Sequence, residues 1–212
     1  MMPNNLDATK NIINAFNNVI KIYGETSFLL RNFSAELAAR GFESVMPGNG
    51  IGTETSKSIE YPKEWPIRYA ALFFQHKKEQ DNGRWLCVTV NFFHPESGDV
   101  LPRLILGVLE NKNDKRRTAY EYGWLKRVYF NEGEEFTYTN EEKIKINTQD
   151  HMNMDLMDRK VINFCPNQKE KPVPLQGSFF ATPLLSVNNA EEVKGLTTKI
   201  VGYWGTKYGP VK

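Results

Sequence analysis

The sequence predicts an α+β domain in which an N-terminal helical hairpin packs on a largely antiparallel β-sheet. Three observations predict this class: apolar residues recur at helical spacing before residue 42, segments rich in aromatic and β-branched residues follow between residues 69 and 130, and turn sequences separate those segments. With 212 residues, of which 40% are hydrophobic and 25% charged, the chain has globular proportions and is long enough to bury a substantial core.

The segment 1–46 is predicted to form the helical hairpin. Its first helix, expected to end near Gly24, is indicated by apolar residues spaced for one helical face: Ile12, Phe16, Val19, Ile20 and Tyr23. The second helix would begin at Thr26 or Ser27, whose hydroxyls can cap it, and would stop at Gly41, which tolerates a left-handed conformation. The face of this helix would carry Leu30, Phe33 and Leu37.

Residues 47–66, which are rich in glycine, proline and hydroxyl side chains, are predicted to link the helices to a sheet domain. That domain would extend over 67–212, with a looser C-terminal part after residue 166. Its core is predicted to be a three-stranded meander, with strands apolar on both faces at 69–76, 85–93 and 101–109. The dipeptide Asn82-Gly83 is typical of a hairpin turn and indicates that the first two strands are antiparallel.

Smaller elements are expected toward the C-terminus. The segment 118–130 alternates apolar and polar residues like a fourth strand, and 135–147 is typical of a hairpin around Thr139-Asn140. We expect a helix within 148–164. The last predicted elements are strands at 178–187 and 197–205 with a short helix between them.

Charge and cysteine content exclude several classes. The 27 basic and 25 acidic residues give a net charge of only +2, so any electrostatic site must be local. Cys87 and Cys165 are far apart, and we expect no disulfide. Because the N-terminus lacks a signal-peptide pattern and no apolar run is long enough for a membrane span, we expect a cytoplasmic protein without membrane contact. The histidines His76, His94 and His151 lack metal-ligand spacing, and we expect no cofactor.

Asp99, Glu110 and Lys112 suggest a catalytic site. Their order, an acid followed after a strand-length gap by Glu110-Asn111-Lys112, resembles the motif of the PD-(D/E)xK nuclease superfamily, although Gly98 stands where that family usually has proline. The resemblance implies that two acids hold a divalent metal and that the lysine helps to activate water.

The distance between the two acids argues against this site. Carboxylates that share a metal place their oxygens about 2.0–2.6 Å from it. If residues 101–109 form one strand, a rise of about 3.3 Å per residue sets Asp99 and Glu110 on the order of 30–36 Å apart. We therefore interpret Glu110 as a strand end near Arg84, itself near Lys77. The alternative remains a metal-dependent nuclease that uses Glu110, Lys112 and another acid.

The predicted meander collects basic residues at one end of the sheet. The hairpin tip 77–84 and the segment 110–117 would both lie there, followed by an aromatic strand. The candidate binding residues are Lys77, Lys78, Arg84, Lys112, Lys115, Arg116, Arg117, Tyr120, Tyr122 and Trp124. Cations beside aromatic rings are typical of surfaces that bind single-stranded nucleic acid, and equally of a solvated sheet end. The leading hypothesis is a non-catalytic interaction or regulatory module that binds a protein or nucleic-acid partner through this surface.

Overall fold

The computed structural model describes residues 5–46, 50–53, 67, 69–79, 83–92, 102–110, 135–137, 143–145, 157–164 and 173–209. These residues form a long N-terminal helix, an antiparallel sheet and a C-terminal helix. The predicted α+β class with an antiparallel sheet is therefore confirmed. The predicted strand at 118–130 lies outside the described residues.

The N-terminal region is one continuous helix, α1 (Asn5–Ala38), and the prediction of two helices was wrong. Glycine inside a helix costs about 1 kcal/mol relative to alanine, which is too little by itself to end a helix of this length. Thr26 lies inside α1 and is buried against the core, so it does not act as a cap. Gly41 follows the helix with a φ of 85°, as the sequence predicted.

Seven strands of the described residues form the main sheet: β1 (Phe42–Ser44), β2 (Gly52–Thr53), β3 (Tyr69–His76), β4 (Arg84–Asn91), β5 (Arg103–Glu110), β8 (Met157–Phe164) and β9 (Val173–Pro183). Their order across the sheet is β1-β3-β4-β5-β9-β8, and β2 also pairs with β3. All of these pairs are antiparallel. Strand β2 belongs to the predicted linker, so part of that segment joins the sheet. The short strands β6 (Glu135–Thr137) and β7 (Lys143–Lys145) form the separate hairpin that the sequence predicted.

The central meander β3-β4-β5 is confirmed. Its strands are buried along almost their whole length, as expected for strands that are apolar on both faces. Gly83, at the β3–β4 turn, has a φ of 69°, which explains why glycine follows Asn82 there. Residues 103–110 form one extended strand, as assumed in estimating the separation of Asp99 and Glu110.

Two C-terminal predictions were wrong. Residues Met157–Phe164 form an edge strand paired with β9, although a helix was expected there. The predicted last strand lies in the helix α2 (Ala190–Tyr208). The side chain of Asn189 caps α2 by accepting a 2.9 Å hydrogen bond from the backbone N–H of Glu192. Helical spacing places Val193, Leu196, Ile200 and Trp204 on one buried face, and this packing outweighs the strand preference of the β-branched and aromatic residues.

The hydrophobic core lies between the sheet and both helices. Leu30, Phe33 and Leu37 of α1 join Ile200 and Trp204 of α2 against the apolar face of β3, β4 and β5. Arg40, just after α1, connects the two helices, since its guanidinium donates hydrogen bonds to the Glu36 carboxylate and to the Thr198 hydroxyl, the latter at 3.1 Å. The end of α1 is thereby fixed beside α2 and the β3–β4 turn.

Candidate binding surface at one end of the sheet

The predicted position of Arg84 relative to Glu110 is confirmed. The two residues are direct partners in the β4–β5 register, and Glu110 also lies opposite Gln176 of β9. In the β3–β4 register Phe74 lies opposite Leu86, so continuing this register sets Arg84 opposite His76. The sequence analysis placed Arg84 near Lys77, the residue after His76. This end of the sheet therefore brings together the start of β4, the end of β3 and the end of β5.

Lys77 and Lys78 lie at the same end, immediately after β3, and both are exposed. The Lys77 Nζ is 3.2 Å from a carboxylate oxygen of Glu43 on β1. About half of each side chain is exposed (54% for Lys77 and 50% for Glu43), so solvent screens this ion pair and its contribution to stability is small.

The C-terminal helix adds an aromatic and cationic group that the sequence analysis missed. The Arg84 guanidinium carbon lies 4.3 Å from the centroid of the Tyr208 ring, within the usual range of a cation–π contact. The Lys207 Nζ lies 5.7 Å from the ring centroid of Tyr203 and 5.8 Å from that of Tyr208. We call Lys77, Lys78, Arg84, Tyr203, Lys207 and Tyr208 the basic end.

The basic end rests on a buried aromatic layer. Trp204 is fully buried and lies edge-on to Phe42 at 5.2 Å and to Tyr208 at 4.9 Å between ring centroids. Phe42 also contacts the ring of His76 edge-on at 5.2 Å. Edge-to-face contacts of this kind favour fixed ring orientations. The Tyr208 ring that supports Arg84 is therefore held in place by β1 and by the helix that carries it.

His76 is a structural residue in this layer. It is buried, and its Nδ1 accepts a hydrogen bond of 3.4 Å from the backbone N–H of Lys78. The backbone N–H of Lys77 donates to the Gly41 carbonyl at 2.9 Å. These bonds connect the chain after β3 to the end of α1. His94 and His151 lie outside the described residues.

Seven candidate site residues lie outside the described residues: Lys112, Lys115, Arg116, Arg117, Tyr120, Tyr122 and Trp124. The same holds for Asp99 of the nuclease resemblance. In the described part of the chain, no group of three or more His, Cys, Asp or Glu side chains is arranged to hold a metal ion.

A second concave surface lies beside α1. This groove has a volume of about 710 Å³ and is lined by Tyr23, Thr26, Leu30, Ile51, Ile67 and Phe92, among others. Its lining is largely apolar, with hydroxyl groups and Arg31 at its edge. The Tyr23 hydroxyl accepts a 3.2 Å hydrogen bond from the backbone N–H of Ile67, which fixes α1 to the sheet at this point.

Comparison with family models, with curated proteins and with solved structures finds no match to this chain. Among the helices that the structure describes, none has both the length and the apolar character needed to cross a membrane. Cys87 is buried and forms no disulfide within the described residues, and Cys165 lies outside them.

Proposed function

We propose that this protein is a non-catalytic interaction module whose basic end binds single-stranded nucleic acid. The observation that carries the proposal is the stacking of Arg84 on Tyr208 next to Lys207, on the same end of the sheet as Lys77 and Lys78. Lysine and arginine side chains bind the phosphates of the nucleic-acid backbone, and aromatic rings stack on unpaired bases of any nucleotide sequence.

The charge of the surface supports an anionic partner. Lys77, Lys78, Arg84 and Lys207 bring four positive charges to this end of the sheet, where the Glu43 carboxylate pairs with Lys77. The segment 111–117, which continues from Glu110, contains Lys112, Lys115, Arg116 and Arg117 against a single acid, Asp114. We include these four residues and the aromatic residues Tyr120, Tyr122 and Trp124 in the proposed surface.

The proposal assigns the protein to the cytoplasm. Its support is that Cys87 forms no disulfide within the described residues and is buried in the centre of β4, where it packs as a small apolar side chain. Glu110 is assigned a structural role, since its strand partner is Arg84. The alternative, a nuclease that uses Glu110 and Lys112, is tested together with binding.

Fluorescence anisotropy with a labelled single-stranded oligonucleotide tests the proposal. We expect the paired substitutions Lys77→Glu and Lys78→Glu to weaken binding by about tenfold or more, equivalent to about 1.4 kcal/mol. Binding should also fall steeply as salt is raised, because phosphate contacts release counterions. The matched control carries Lys10→Glu and Lys21→Glu, which make the same charge change on the exposed part of α1.

Four results would overturn the proposal. The first is absence of oligonucleotide binding by the wild type, and the second is equal weakening by both pairs of substitutions. Binding of an acidic peptide in place of the oligonucleotide would assign the surface to an acidic protein. Cleavage of the oligonucleotide with Mg²⁺ or Mn²⁺ that is lost in Glu110→Ala would establish the nuclease and contradict the non-catalytic role.

A further inference from the structure

The N-terminal half of α1 exposes an apolar surface. Every residue from 7 to 22 is exposed, whereas from residue 7 onward the buried residues of α1 lie after Tyr23. The exposed apolar side chains range from 41% exposure for Val19 to 67% for Phe16. We call this surface the free seam: Ile12, Ile13, Phe16, Val19, Ile20 and Ile22.

The free seam has the repeat of a coiled coil. Positions 12, 16, 19, 23, 26, 30, 33 and 37 follow one another at alternating spacings of four and three, the pattern of heptad positions a and d. The later part of this pattern, from Thr26 to Leu37, is buried against the sheet. Within the free seam, Ile13, Ile20 and Ile22 lie beside the a and d positions. The remaining helix face is occupied by Asn11, Asn14, Asn17, Asn18 and the two lysines of this stretch.

We propose that the free seam binds the free seam of a second copy of this chain, so that two α1 helices pair antiparallel. The first argument is area. A large apolar side chain has a surface of about 150–200 Å², and each of these six is roughly half exposed, so together they expose roughly 600 Å². That is at the upper limit of the apolar patch found on a typical monomer, about 300–600 Å². A symmetric pair would bury about 1,200 Å², which reaches the lower end of stable, specific interfaces.

The second argument is steric, and it selects the antiparallel direction. The sheet packs against Leu30, Phe33 and Leu37, which lie on the same face of α1 as the free seam. A parallel second copy would therefore bring its own sheet against the first helix at the level of these residues. An antiparallel copy places its sheet at and beyond the N-terminal end of α1, where the described residues of the first copy form no sheet.

The third argument is the register that the heptads allow. In an antiparallel pair an a residue faces a d residue of the second copy, so Phe16 faces Val19 and Ile12 faces Tyr23. Four apolar layers result, over about 17 Å at 1.5 Å per residue. In this register the first turn of the second copy reaches the level of the groove beside Tyr23 and Thr26, which has a volume of about 710 Å³.

Charge favours a second copy over a membrane surface. The exposed stretch carries only Asp7, Lys10 and Lys21, and its polar face is dominated by asparagine. Helices that lie on anionic membranes usually have a polar face rich in lysine and arginine. None of the charged residues of this stretch occupies an a or d position, so no like charges oppose each other in the pair.

Sedimentation velocity of the full-length chain over a range of micromolar concentrations tests the pairing. We expect a species of twice the 24.4 kDa monomer mass that dissociates on dilution. The variant with Phe16→Asp and Val19→Asp should sediment as a monomer at all these concentrations and keep its unfolding midpoint in dilute solution. The matched control with Asn14→Asp and Asn18→Asp adds the same charge to the polar face and should still form the dimer.

The direction of the pair is tested by disulfide formation in a background with Cys87→Ala and Cys165→Ala. A mixture of Phe16→Cys and Val19→Cys chains should form a mixed disulfide, whereas each chain alone should remain reduced. A wild type that stays monomeric, or a dimer that survives the two aspartates, would overturn the proposal. So would loss of folding in the aspartate variant, because the free seam would then be packed against its own chain. Binding of the monomer to anionic vesicles, without self-association, would assign the seam to a membrane.

Discussion

The two halves of α1 have the same apolar repeat and opposite surroundings. From Thr26 to Leu37 the a and d positions are buried against β3, β4 and β5, with Phe33 and Leu37 fully inaccessible. From Ile12 to Val19 the same repeat is exposed. The apolar repeat therefore predicts which face of a helix is apolar. Whether that face packs against the same chain depends on where the sheet and the other helix lie.

The largest expected effect compares two phenylalanines on the same seam. Phe33→Ala removes a fully buried ring and should lower the free energy of unfolding by about 3–5 kcal/mol. Phe16→Ala removes a ring that is 67% exposed, and in dilute protein it should change that free energy by less than about 0.5 kcal/mol. Urea denaturation of both variants, at protein concentrations too low for the proposed dimer to form, measures the two changes in the free energy of unfolding. Equal losses would show that the two halves are buried alike.

The next effect concerns the anchor of the buried half. Gly41 ends this region with a φ of 85°, and a Cβ at that position would lie 3.0 Å from the Nε2 of His76. Gly41→Ala should therefore destabilise the fold by about 1–3 kcal/mol, because the left-handed conformation is strained for alanine and its Cβ would be crowded by His76. The control is Gly202→Ala in α2, where a Cβ meets nothing within 4 Å and a small gain is expected. Equal effects of the two substitutions would exclude this explanation.

The smallest effect lies at the junction of the two halves. Gly24 is helical, and a Cβ there meets nothing within 4 Å. Gly24→Ala should raise the free energy of unfolding by about 0.5–1 kcal/mol through helix propensity. Thermal unfolding followed by circular dichroism measures this change. A loss of stability would indicate that the chain needs a break at Gly24, and the two halves would then be separate helices after all.

The elements that the sequence predicted well depend on local signals. Asn82-Gly83 and the doubly apolar strands specified the β3-β4-β5 meander, and the Arg84–Glu110 register followed from the lengths of the strands and turns. The errors came from local preferences that packing outweighs. Gly24 suggested a helix end, and the β-branched and aromatic residues of 197–204 suggested a strand. A closer count would have found the helix α2, because Val193, Leu196, Ile200 and Trp204 keep helical spacing behind the Asn189 cap.

The candidate site was predictable only in part. Lys77, Lys78 and Arg84 come from one hairpin, so sequence neighbours and strand pairing bring them together. Tyr208 reaches Arg84 from the last helix, and no local pattern connects residues so far apart in the chain. The same limit applies to the free seam, since exposure depends on what the whole fold covers.

Amide hydrogen exchange at two protein concentrations tests the central claim most directly, namely that one half of α1 is covered by its own sheet and the other by a second copy. We expect the amides of residues 26–37 to be protected at both concentrations, and those of residues 9–22 to gain protection only in the concentrated sample. Equal protection of both halves at every concentration would contradict the account, because the N-terminal half would then be covered by its own chain.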